Sequence, residues 1–291
     1  MPGSLVYQHH PANKHYSLED VKTDPRKFDV DQNDDTKIIG YPLSGGLVYV
    51  LYTPGVAGTA DDLDQEVDPE SLTEILEPMD PDDRVVTIWL LRFFTEMHEE
   101  ELDGGDGLPI YKEIEIDRVP DALEQVTWEG TVTEVAGQLM SNLILKHSLP
   151  NANHRTGITI AETYLEAAGA EIELPNTHTP DYEWQQWVNP YIEQSKIILT
   201  VRRHNLYFRT LEEHGCEIVR RKGGIDIPLA EYELDMPYYE AWEIYAEHHE
   251  EVCINFVEEL IAQSGDSTLQ EQPALAKDEF IEFLNTENQS S

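Results

Sequence analysis

The sequence predicts a mainly α-helical protein with a small β-containing N-terminal extension and a C-terminal helical segment. Two observations carry this expectation. From Pro69 onward, apolar residues recur at three- and four-residue spacing over long stretches. β-branched and aromatic runs cluster around 37–52 and 216–227. The 291 residues divide accordingly into an extension over 1–68, a helical core over 69–210, and a hairpin and helix segment with a flexible tail over 211–291.

Taken in order, residues 1 to about 36 are polar and read as an irregular arm or a loosely docked leader. The His9-His10 pair in it has no third ligand at metal-binding spacing. Lys37 to Tyr41 and Gly46 to Tyr52 form a hairpin pattern about Pro42–Gly45, and Val56 to Asp68 is an acidic loop. Pro69–Glu77 and Asp80–Glu101 read as helices, the second with Val85, Val86, Trp89, Leu90, Phe93, Phe94 and Met97 on its apolar face and His98 on its polar side. Gly104 to Gly107 end that run, and Leu108 to Asp117 read as a short flap that alternates polar and apolar residues from Glu113. A short helix follows near Pro120–Gln125. The strongest helix runs from Thr131 to His147, with Val132, Val135, Ala136, Leu139, Met140, Leu143 and Ile144 as a core stripe. A second runs from Asn153 to Ala168 and stops at Gly169. Glu171 to Asp181 is a loop. Tyr182 to Tyr207 is a helix with a candidate interruption at Pro190, Cys216 to Ile227 a hairpin or turn, and Tyr238 to Ser264 a last long helix. In that last helix Glu247-His248-His249-Glu250 read as a solvated face. Leu275 to Leu284 is a short helix before a fraying end.

The net charge is -39, from 58 acids against 19 Lys and Arg. Such a surface repels phosphate backbones and anionic lipid, so neither nucleic acid nor a membrane is expected as a partner. The acids are spread through the chain, which fits a halophile, where screening shortens self-repulsion to a few ångström. Two cysteines, no signal peptide pattern and no apolar run of about 20 residues fit a reduced, cytoplasmic setting.

Against this background one interval stands apart. Val135 to Ala161 holds no acid, although the chain's average of one in five would put about five there. It holds Lys146, His147, His154 and Arg155 instead. Core burial explains the helical flanks. It does not explain the polar loop Ser148 to Thr156, which joins two helices and is built like an anion site. The first turn of the second helix has free N–H groups and a positive dipole end. Asn153 can donate an amide hydrogen bond, Arg155 can grip phosphate oxygens bidentately, and His147 can act as a general base. A base beside a phosphate cradle suits transfer of a phosphate-containing group to a hydroxyl.

His147-Ser148-Leu149-Pro150-Asn151-Ala152-Asn153-His154-Arg155 resembles the signature of the Fic/Doc (Fido) family, His-x-Phe-x-Asp/Glu-Gly/Ala-Asn-x-Arg. The placement between two core helices and a flap-like segment upstream agree with it. The resemblance implies a Fido-type helical core over roughly Pro69 to Tyr207, with a small flap. It implies that His147 deprotonates a hydroxyl on a target protein, that Ala152, Asn153, His154 and Arg155 hold the phosphates of ATP, and that Asn151 stands where an acid coordinates Mg²⁺. Leu149 replaces the loop-anchoring Phe, and Asn151 brings an oxygen without charge. His154 replaces a Gly of AMP-transferring members, and that position is Lys in Doc-type members, which transfer phosphate. Ala152, and Ile158 in place of a second arginine, also lean toward the Doc-type branch. The family's inhibitory motif is matched only in part, by Thr95 to Glu99 followed by Glu100, so a separate antitoxin or inhibitory partner stays open.

Three functional readings follow. One is Mg-ATP-dependent transfer of phosphate or AMP to a protein hydroxyl, as a toxin or regulatory modifier. The second is a degenerate Fido scaffold that binds nucleotide or a partner protein without catalysis, with Asn151 its main support. The third, an acidic helical interaction module, accounts for the charge but not for the acid-free loop. Arg202 to Arg209, in a second acid-free stretch, are candidates to line the same pocket.

Overall fold

The computed structural model describes residues 4–29, 35–54, 69–104, 108, 112–170, 182–265 and 267–290. The acidic loop expected over Val56 to Asp68 and the loop over Glu171 to Asp181 lie outside them, as does the middle of the expected flap. The protein is mainly α-helical, with a β-containing N-terminal region and C-terminal helices. It divides into two compact units, one of Met1–Ala57 with Glu193–His248 and one of Gly58–Ile192 with His249–Ser291.

The first unit holds all the strands among the described residues. β1 (Leu5–Tyr7) pairs in parallel with β5 (Ile218–Arg220), which pairs antiparallel with β6 (Asp226–Pro228). β2 (Tyr16–Lys22), β3 (Lys37–Leu43) and β4 (Gly46–Pro54) make an antiparallel sheet in the order β2-β4-β3. The β3–β4 hairpin is the one its β-branched residues predict. The N-terminal arm is a correction: Val6, Leu18 and Val21 are buried, and Leu18 N donates to Gln8 O at 2.8 Å. Four apolar anchors spaced among polar residues, these three and Tyr16, are enough to seat both strands. A buried tyrosine ladder links the two sheets, with Tyr41 and Tyr52 hydroxyls 2.7 Å apart and Tyr52 donating to Tyr7 O at 2.6 Å.

The second unit is helical. α1 (Pro69–Leu76), α2 (Pro81–Gly104), α3 (Val119–Leu123), α4 (Val132–Lys146), α5 (Asn153–Ala167) and α8 (Lys277–Ser290) lie within it. α6 (Tyr182–Glu213) and α7 (Tyr238–Ser264) each run across the boundary between units. α4 starts with a capping box, in which Thr131 accepts from Glu134 N and Glu134 accepts from Thr131 N. Its stripe of Val132, Val135, Ala136, Leu139 and Ile144 is fully buried, as are Ile160, Ala161, Tyr164 and Leu165 of α5. Tyr164 packs edge-on against Phe280 of α8 and donates to Leu275 O at 2.9 Å, while Lys277 reaches Asp83 of α2 at 2.7 Å. The tail therefore docks as a helix through Ser290 where fraying was expected, because Phe280, Ile281 and Leu284 are buried.

Other expectations are corrected too. The extended segment expected over Glu113 to Asp117 ends instead in a single turn of 3₁₀ helix, Ile116–Arg118, which buries Ile116. α6 passes through Pro190, and its one non-helical residue is His204 (φ −112, ψ 15). His249 is fully buried rather than solvated; its ring meets Ser141 Oγ at 2.7 Å. Both cysteines are free and buried. Among the described residues no helix is long and apolar enough to cross a membrane.

Candidate functional site

α4 ends in a sharp turn. His147 adopts the left-handed conformation (φ 52, ψ 49), and its N–H donates to Leu143 O at 3.2 Å. This reverses the chain and leaves the imidazole exposed at the helix end. The loop then turns inward, and Leu149 is only 1 % exposed. Ala152, the residue before α5, is again left-handed (φ 57, ψ 11) and gives no side-chain cap. The first intrahelical bond is Thr156 N to Ala152 O at 2.9 Å. The backbone N–H groups of Asn153, His154 and Arg155 thus lack an intrahelical acceptor, at the positive end of a 15-residue helix.

The side chains divide between loop and solvent. Asn153 is buried and braces the loop: its Oδ1 accepts from Leu149 N at 3.0 Å, and its Nδ2 donates to Leu149 O at 2.8 Å and Asn151 O at 3.4 Å. Its amide is committed to the loop's own backbone, so it stands behind the cradle rather than in it. Asn151 is half-buried, and its Oδ1 accepts from Ala152 N at 2.7 Å. His154 is half-exposed on the first turn of α5. Arg155 donates to Glu101 of α2 at 2.9 Å, each side chain being 34 % exposed.

Three acids from outside the interval 135–161 approach it in space. Glu101 holds Arg155, and Asp121 accepts from Lys146 at 3.1 Å. Glu115 lies beside the loop, with its N–H donating to Ser148 O at 2.8 Å. Burial pushes the Glu115 carboxyl up, but the hydrogen bond from Lys112 and the charges of Lys112, Arg118 and His147 outweigh it and hold the group below its usual range. Sequence reasoning missed all three acids. The partial motif from Thr95 to Glu99, followed by Glu100, does not include Glu101, the carboxylate that meets Arg155.

Arg202 and Arg209 are engaged elsewhere. Arg202 lies over the Trp242 ring at 3.6 Å and donates to Trp242 O at 2.8 Å, while Arg209 pairs with Asp235 at 3.6 Å, all within the first unit. Among the described residues no group of three or more His, Cys, Asp or Glu is placed to hold a metal ion.

A sequence profile of a family described only as being of unknown function, DUF8172, matches residues 1–288. The chain belongs to that family. No curated protein and no solved structure matches it. The family match takes in the α4–loop–α5 motif and both units, so the motif is part of one chain-length architecture.

Proposed function

We propose that the α4–α5 loop is a Fic/Doc-type site that transfers a phosphate-containing group from ATP to a hydroxyl of a target protein. The observation that carries this reading is an exposed His147 at the end of α4 followed by the N-terminal turn of α5, at the spacing of the Fido signature. In this reading the N–H groups of Asn153, His154 and Arg155 receive a phosphate, and the Arg155 guanidinium adds a charged grip. His154, half-buried on the same turn, is a further candidate contact. His147 takes the proton of the target hydroxyl as its oxygen bonds to phosphorus. The bond from phosphorus to the bridging oxygen breaks, releasing ADP if the γ-phosphate moves or pyrophosphate if AMP moves. Glu115 supplies negative charge near the imidazolium so formed. His154 in the place of the Doc-type lysine favours phosphate.

Mg²⁺ fits these residues poorly. The loop offers it the neutral Asn151 oxygen, which already accepts from Ala152 N. No step of the reaction is therefore routed through a metal here. That same observation favours a second reading, a nucleotide- or partner-binding scaffold without catalysis. The acidic composition supports a salt-rich cytoplasm as the working medium for either.

ATP labelled at the α or the γ phosphate, incubated with the protein, cell lysate, and Mg²⁺ or Mn²⁺ in high KCl, decides among these. Label on protein from the γ position is expected. His147→Ala is expected to lower transfer by about 10²–10⁴-fold with nucleotide binding retained. Asn151→Asp is expected to raise transfer. Tight nucleotide binding with no transfer in either background would establish the scaffold reading; neither binding nor transfer would remove both.

A further inference from the structure

The first unit carries a group of basic side chains that the reading above does not use. The pairing of β1 with β5 continues past both strands: Gln8 N donates to Arg220 O at 2.9 Å, and Lys222 N donates to His9 Nδ1 at 3.4 Å. His9 is thereby set beside Arg221 and Lys222. α6 brings Lys196 and, two turns later on an adjoining face, His204. His204 is the residue at which α6 departs from helical geometry. It is only 6 % exposed, and its Nδ1 has no hydrogen-bond partner. The Nε of Arg221 is likewise buried without a partner.

The charges around these atoms are mostly of one sign. Burial, then the charges of Lys222 and Arg221, lower His9 to about 4. Burial, then Arg203, His9 and Arg221, lower His204 to about 3. Lys222 is lowered by burial, Arg221 and Lys196; Lys196 is lowered by burial and Arg221, with Glu193 acting the other way. Elsewhere in this chain, Lys and Arg side chains find acids readily: Arg155, Arg209, Arg220 and Lys277 all do. Lys196 and Arg221 form no ion pair among the described residues. Long cationic stems that bury their methylenes and lift their heads to water would account for the two half-buried lysines. They do not account for a buried guanidinium N–H and a buried ring nitrogen with nothing to bond.

We propose that His9, Lys196, His204, Arg221 and Lys222 form a binding site for a phosphate dianion, either free or as the end of a phosphomonoester. Lys196 and Arg221, without an ion-pair partner among the described residues, bring positive charge that an anion balances. Two neutral histidines at pH 7 supply hydrogen-bonding nitrogens without further charge. The guanidinium fork of Arg221 matches two phosphate oxygens. Chloride brings one charge and one acceptor atom where a phosphate dianion brings two charges and several oxygens, and a nucleic acid would meet the repulsion of a chain carrying -39. None of these residues belongs to the α4–loop–α5 motif, so the site is independent of the transferase reading.

The test uses the full chain titrated with inorganic phosphate and, separately, with glycerol phosphate at pH 7.5, at constant ionic strength held with KCl, following Tm and heat of binding. A saturable rise of several degrees in Tm is expected, with affinity at least about tenfold weaker in Arg221→Gln. Lys196→Gln, at a half-exposed position, carries the same expectation if Arg221→Gln folds poorly. Binding of inorganic phosphate alone marks a site for the free ion, and binding of both marks one open to a monoester. A response no larger than KCl gives, or binding kept in both variants but lost in Arg155→Gln, overturns the proposal.

Discussion

Among the described residues only Trp128, His147 and Ala152 have positive φ without being glycine, and two of these bracket the candidate loop. A left-handed conformation costs such residues about 1–2 kcal/mol each, and it persists where surroundings over-determine it. Here the surroundings are Leu149 in the core and the Asn153 side chain clamped across Leu149 and Asn151. Strain thus aims the exposed imidazole and opens the helix end. Arg155 is the least settled member, because its partner Glu101 competes with any phosphate. An ion pair this exposed contributes about 0–1 kcal/mol, less than the roughly 1.5–3 kcal/mol of a charged hydrogen bond to a desolvated phosphate. Glu101→Gln is therefore expected to tighten binding of a non-hydrolysable ATP analogue by up to about fivefold, measured by calorimetry, with Tm nearly unchanged. Unchanged or weaker affinity would show that Glu101 does not guard Arg155. The string from His147 to Arg155 was legible in the sequence because its members are neighbours. Glu101, 54 positions away, was not, since nothing local marks which acid of 99–101 faces Arg155. The bracing role of Asn153 also escaped, because an amide that can donate to phosphate can equally donate to a carbonyl.

Helices were read well where a long stripe gave many repeats of one period. α4, α5 and α7 fall within a residue or so of their expected bounds. What stayed hidden is non-local. β1 and β5 are three residues each, too short for a period, and their partners are some 213 positions apart. The burial of His249 depends on Ser141 of another helix. Gly137 shows the same limit: in the sequence it only weakens α4, while in the structure it is where α4 meets α7. A Cβ there would lie 2.7 Å from the Cα and 2.8 Å from the N of Ile254. Backbone of a packed helix cannot yield as a side-chain tip does, so overpacking costs about 1–3 kcal/mol, against the up to ~1 kcal/mol that alanine returns in helix propensity. Gly137→Ala is thus expected to lower stability by about 1–2 kcal/mol in urea unfolding. A stabilised variant would mean that α4 and α7 do not cross closely.

At the scale of the whole chain, an excess of 39 negative charges makes self-repulsion the term most sensitive to solvent. At molar KCl the screening length falls to about 3 Å, so only near neighbours still interact. High salt therefore isolates local electrostatics, and the half-buried His9 and the buried His204 of the first unit become measurable. Their folded pKa values, about 4 for His9 and about 3 for His204, lie below the ordinary 6.5. Between those limits the unfolded chain binds more protons than the folded one, so stability is full above pH 6.5 and is lost as pH falls. At pH 5 the loss is up to about 2 kcal/mol for each histidine, before discounting for the partial exposure of His9. Urea unfolding in 3 M KCl at pH 7 and pH 5 is expected to show that loss. His204→Gln is expected to remove roughly half of it, because glutamine keeps a polar group at the site but takes up no proton. Equal pH dependence in the variant and the parent would mean that the His204 ring is solvated and titrates normally, and that the kink in α6 does not enclose it.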